Sequence, residues 1–119
     1  MKILVIDDKE SNRQVLHMVL ENAGFEVITA NSGETGLEVF RGNGNLDVVI
    51  TDHDMPPGMN GQQVIAEIKR LKPRQPVILF TANEELLLRL EKTPRDFFLM
   101  RKPASIMEIY AKVAAAISS

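Results

Sequence analysis

Short apolar runs alternate with amphipathic stretches from one end of the chain to the other. KILVI, FEVITA, LDVVIT, PVILF and FFLM are compact blocks rich in branched and aromatic residues, the pattern of strands. LDVVIT and PVILF are apolar almost throughout, which suits strands covered on both faces. Between the blocks the apolar positions fall at helical spacing. Val15, Leu16, Val19 and Leu20 mark a helix from Ser11 to Ala23, with Gly24 as its stop. Ser32 caps a short helix ending near Arg41, before a GNGN turn. Val64, Ile65, Ile68 and Leu71 share one side of a helix that follows the loop MPPGMNG. Asn83 to Lys92 is helical, and Ser105 caps a last helix with Ile106, Ile109, Tyr110, Val113 and Ile117 inward.

Strands each followed by a helix predict a parallel sheet with right-handed crossovers and helices on both faces. The expected fold is a flavodoxin-like (βα)5 doubly wound α/β domain over residues 1–119, strand order 2-1-3-4-5. That order sets Asp7 and Asp8 beside Asp52. Composition agrees: 45% hydrophobic and 25% charged residues exclude disordered and fibrous classes. The net charge of −2, with Lys and Arg spread out, gives no nucleic-acid surface. Without cysteine there is no disulfide, thiolate metal site or thiol nucleophile. MKILVI is cut short by the acidic pair, too brief for a leader core, and nothing is long enough to span a membrane. A cytoplasmic protein is the expectation.

Four of the apolar blocks run into a polar residue suited to chemistry: Asp7-Asp8, Asp52, Thr81 and Lys102. In open α/β sheets the carboxyl edge is where ligands bind. Clustered carboxylates repel one another unless a cation compensates, and oxygen-only ligands suit magnesium (Mg2+) or manganese rather than zinc. Asp52 is the candidate nucleophile, since carboxylates can form aspartyl phosphates. Lys102 can reach a phosphate oxygen, Thr81 can donate a hydroxyl to another, and the small Ala82 leaves room for the incoming group. The acidic pair alone is also what a solvated turn shows; the ordered set of five residues is not.

With the acidic pair, Asp52 within VVITDHDMP, Met59-Asn60-Gly61, Thr81-Ala82 and Lys102-Pro103, the whole chain resembles the receiver domain of bacterial two-component response regulators. The resemblance implies Asp52 as phosphoacceptor and a sensor histidine kinase or histidine phosphotransfer protein as donor, docked against the first helix. It implies magnesium held by Asp8, Asp52 and the backbone carbonyl of Asp54, with Asp7 acting through water. It implies a cis Lys102–Pro103 bond, a downstream protein or an attached output domain as recipient of the signal, and a homodimer contact on the face of the fourth helix, fifth strand and fifth helix. The chain departs from the family pattern at three places. The loop Met55–Gly61 is one residue longer than the common family spacing, the stretch from Thr81 to Lys102 is one residue shorter, and Leu99 stands where an aromatic switch residue is usual.

Other residues carry plainer readings. His17 falls on the polar side of the first helix, and His53 should point away from Asp52 because strand neighbours alternate. Alternation likewise turns Phe98 away from Leu99. The methionines are core fillers or loop anchors, and of Leu86, Leu87, Leu88 and Leu90 at least one should stay exposed. Asp54 faces the mouth of the site in receivers, where its charge would tune hydrolysis of an acyl phosphate, or it is a solvated loop residue. Three competing accounts stay open. Asp52-His53-Asp54 has the Asp-x-Asp form of magnesium-dependent phosphatases of the haloacid dehalogenase type, although it follows the third strand rather than the first. A flavin binder shares the fold, but DDKES lacks the Ser, Thr and Gly of a phosphate loop. An interaction module that is never phosphorylated would have no need of all five residues.

Overall fold

Ile3, Leu4, Val5 and Ile6 have almost no surface left in β1 (Lys2–Ile6), because helices cover both sides of that strand. The computed structural model describes residues 1–119. After β1 come α1 (Glu10–Asn22), β2 (Glu26–Ala30), α2 (Gly33–Gly42), β3 (Val48–Thr51) and α3 (Gly61–Leu71). They are followed by β4 (Val77–Thr81), α4 (Glu84–Glu91), β5 (Phe98–Arg101) and α5 (Ile106–Ile117). All neighbouring strands pair in parallel, in the order β2-β1-β3-β4-β5. The expected architecture is therefore the observed one.

The sheet divides the core in two. On one side Leu4, Ile6, Val49 and Leu79 pack with Leu37, Val64, Ile68, Leu86 and Leu90 of α2, α3 and α4. On the other Ile3, Val5, Ile50, Ile78 and Phe80 meet Leu16, Leu20, Ile109 and Val113 of α1 and α5. Tyr110 fastens the second side by donating its hydroxyl to the Val19 carbonyl at 3.0 Å. Leu99 packs with the first side and Phe98 with the second, as alternation requires.

Local chemistry sets where helices begin. Ser32 and Asn60 each form a reciprocal capping box, with Thr35 and Gln63. Asn83 and Ser105 accept from the Leu86 and Glu108 amides. Helix α1 has no side-chain cap and starts at Glu10, ahead of the expected Ser11. Gly24, at φ 94°, makes the left-handed turn that ends it.

Three residues expected inside are exposed: Val15, Leu71 and Ile106. Leu71 ends α3 and Ile106 begins α5. A 12-residue helix such as α5 is about 18 Å long, whereas a four-residue strand such as β5 covers about 13 Å, so terminal turns overhang the sheet. Val15 lies beside the buried stripe of Leu16, Val19 and Leu20 rather than in it. Among the leucines of α4, Leu88 is the exposed one.

Candidate functional site

Ladder hydrogen bonds run past the strand ends and fix the residues that follow them. Asp7 donates its amide to the Ala30 carbonyl at 3.1 Å, Asp52 to Ile6 at 2.9 Å and Lys102 to Thr81 at 2.9 Å. Each polar residue is therefore held as rigidly as a strand residue, although its side chain already points beyond the sheet. The carboxylates of Asp7, Asp8 and Asp52 each offer an oxygen, all within 4.8 Å of one another. The Lys102 ammonium lies 2.9 Å from Asp7 Oδ2 and 3.3 Å from Asp52 Oδ1. It also stands 5.3 Å from the centre of the Phe80 ring, an electrostatically favourable placement for a cation.

The acidic residues differ in how free they are. Asp7 is buried, with Oδ1 taking the Lys9 amide at 3.0 Å and Oδ2 taking Asn12 Nδ2 at 3.3 Å besides Lys102. Arg13 donates to the Asp7 carbonyl at 2.8 Å. Asp8 is exposed. Burial pushes the Asp52 carboxyl above its ordinary value; Lys102 opposes that shift and the Asp7 charge adds to it. Ionised together, three carboxylates face one ammonium, and a hard divalent cation fits the remaining negative charge and the all-oxygen donor set.

Asp52, Asp54, Thr81 and Lys102 open onto one recess of about 330 Å³, which Ala82, Asn83, Lys9 and Asn12 complete. Thr81 is buried, and its Oγ1 accepts the Asn83 amide at 3.1 Å, so the hydroxyl now holds the start of α4. His53 turns away from this recess. Its ring is buried toward Asn83, Leu86 and Arg89 with Nδ1 unpartnered. His17 pairs with Glu21 at 3.2 Å on the surface of α1. The Lys102–Pro103 bond is cis, and so is Pro56–Pro57, which nothing in the sequence singled out.

Asn12 and Arg13 were not among the expected site residues. The signal available was two polar side chains in the first turn of the helix behind the acidic pair. Helix geometry brings that turn back over the residue at the strand end, which is how both reach Asp7.

Comparison with known proteins places this geometry in a family. The family model for the response regulator receiver domain matches residues 3–114. The alkaline phosphatase synthesis transcriptional regulatory protein PhoP of Bacillus subtilis is 36% identical over 117 residues, covering 96% of this chain and 47% of PhoP. The autoinducer 1 sensor kinase/phosphatase LuxN of Vibrio campbellii is 38% identical over 81 residues, 68% of this chain and 9% of LuxN. The chain thus spans less than half the length of either curated relative. A receiver domain protein from Clostridium thermocellum has a similar solved structure (TM-score 0.86, 37% identity, 98% of this chain and 94% of that one). So does TrrA from Thermotoga maritima in complex with Mg(2+)-BeF (TM-score 0.85, 34% identity, 97% of each chain). The phosphatase alternative finds no support in these matches, and its Asp-x-Asp pair follows β3 in the structure as well. A sheet that delivers an acidic cluster, a hydroxyl and an ammonium to one edge, together with this match over nearly its whole length, shows that the chain belongs to the response regulator receiver domain family.

Proposed function

We propose that the chain is a stoichiometric phosphoacceptor over residues 1–119, not a turnover enzyme, and that Asp52 carries the phosphoryl group. The observation that carries this reading is Lys102 shared between Asp52 and Asp7 inside the acidic cluster. A carboxylate oxygen of Asp52 attacks the phosphorus of a phosphohistidine. As the P–O bond forms the P–N bond breaks, and the donor imidazole keeps the electron pair and takes up a proton. Such transfer depends mainly on in-line placement and charge stabilisation. Lys102 then bonds a phosphoryl oxygen, and Thr81 releases the Asn83 amide to donate its hydroxyl to another.

Asp8 and Asp52 would hold the metal directly with the Asp54 carbonyl, while Asp7, whose oxygens are already occupied, would act through water. When bound, magnesium supplies positive charge that offsets the carboxylates and the phosphoryl oxygens; manganese suits the same donors.

Because Thr81 pins the start of α4, its shift biases the face of α4, β5 and α5 between two arrangements. Leu99 stands in the usual aromatic position on that face, so the hydroxyl carries the coupling there. The donor is a sensor histidine kinase or histidine phosphotransfer protein, in keeping with similarity to a sensor kinase and a transcriptional regulator. The signal passes to a separate protein or an attached output domain, and the exposed Leu88, Ile106 and Met107 offer a homodimer contact. No helix is long and apolar enough to cross a membrane. Cytoplasmic phosphotransfer is the setting proposed.

Incubation with acetyl phosphate and magnesium, followed by intact mass measurement, tests the reading. One phosphoryl group per chain, absent in Asp52→Asn, is expected. Continuous release of phosphate from a phosphomonoester would favour the enzyme account instead.

A further inference from the structure

We infer that Asn12 is a positioning residue that keeps Asp7 in place while Lys102 turns to the incoming phosphoryl group. The inference rests on the phosphoacceptor reading above. Asp7 is 2% exposed and depends on donors for both its oxygens. Oδ1 has the Lys9 amide, which is part of the backbone and does not leave. Oδ2 has two side-chain donors, the Lys102 ammonium at 2.9 Å and the Asn12 amide at 3.3 Å.

One of those two donors has other work. A phosphoryl group on Asp52 brings about −1.5 to −2 of charge within reach of Lys102 and draws the ammonium away from Asp7. A buried carboxylate oxygen that loses its donor suffers the desolvation cost of that atom. Asn12 removes the difficulty, since its amide has no reason to follow the phosphoryl charge and can close on the vacated oxygen. It is also fixed independently of Lys102: it sits in the first turn of α1, where the next residue, Arg13, grips the Asp7 carbonyl at 2.8 Å. The first turn of α1 therefore clasps Asp7 by side chain and main chain, and the ammonium is free to move.

A general structural role and this one predict different outcomes. Before phosphorylation Lys102 remains on Asp7, so loss of Asn12 should disturb the metal site less than it disturbs the phosphorylated one. With a phosphoryl group or its analogue in place, Lys102 is drawn off and the loss should be felt. Magnesium affinity and beryllofluoride affinity, measured by amide shifts in NMR titrations, separate the two states without any protein partner. For Asn12→Ala, and for Asn12→Leu, which keeps the branched shape without the amide, any loss of magnesium affinity is expected to be well below the loss of beryllofluoride affinity. Beryllofluoride affinity in saturating magnesium should fall about tenfold, the lower end of losses seen when an outer hydrogen-bond partner of a ligating group is removed. Phosphorylation by acetyl phosphate should slow in step. Equal losses for magnesium and beryllofluoride would overturn the inference, and so would no loss of either. A folded parent protein that binds magnesium but no beryllofluoride would overturn the phosphoacceptor reading and the inference with it.

Discussion

A Cβ on Gly61 would stand 2.4 Å from the carbonyl oxygen of Asp52. Helix α3 can begin this close to the end of β3 only because its first residue has no side chain. The contact is sealed by the Gly61 amide, which donates to the His53 carbonyl at 2.9 Å. Gly61→Ala must move backbone that carries Asp52. Overpacking of this kind costs about 1–3 kcal/mol. The variant should show a lower urea midpoint and weaker beryllofluoride binding; a parent-like midpoint would show that the loop yields without cost.

Asp52 should lower the stability of the metal-free protein at neutral pH. Its folded-state pKa is raised above the ordinary 3.8, chiefly by burial. A carboxyl shifted this way contributes stability that is whole below 3.8 and is lost as pH rises through the folded value. Asp52→Asn, which cannot ionise, is expected to be more stable than the parent at neutral pH in chelator, with the gap closing on acidification. Urea midpoints across that range check this. Magnesium should stabilise the parent more than the variant, and a variant less stable than the parent at neutral pH would contradict the charge argument.

Thr81→Ala should separate acceptance of the phosphoryl group from its transmission. The hydroxyl that holds the Asn83 amide is lost, while Asp52 and Lys102 remain paired at 3.3 Å. Labelling by acetyl phosphate should still reach one group per chain. Beryllofluoride-induced amide shifts over Asn83 to Arg89 should shrink relative to the parent. Full-sized shifts there would mean that Thr81 is not the link to α4.

What the sequence disclosed follows from where physics leaves a local mark. Strands buried on both faces must be apolar throughout, so β1, β3 and β4 stood out and their ends pointed to Asp7, Asp52 and Thr81, while Lys102 follows the shorter and less buried β5. Caps such as Ser32 and Ser105 act on an amide a few residues away and were equally plain. Exposure of Leu71 and Ile106 was hidden because it depends on how far each helix runs past strands distant in sequence, and that of Val15 because it depends on how α1 is rotated against the sheet. The clasp of Asn12 and Arg13 on Asp7 was hidden because polar residues in a first helical turn usually face water. Arg101 was overlooked for a similar reason: its partners Glu84 and Glu91 lie on α4, and only the fold brings them together.

The central claim is that the phosphoryl group resides on one particular carboxylate. Borohydride reduces an acyl phosphate to the alcohol, leaving homoserine where the aspartyl phosphate stood. Peptide mass spectrometry of acetyl phosphate-treated, borohydride-reduced protein should find homoserine at position 52 and aspartate unchanged at positions 7, 8 and 54. Homoserine at any of those three, with Asp52 intact, would contradict the account.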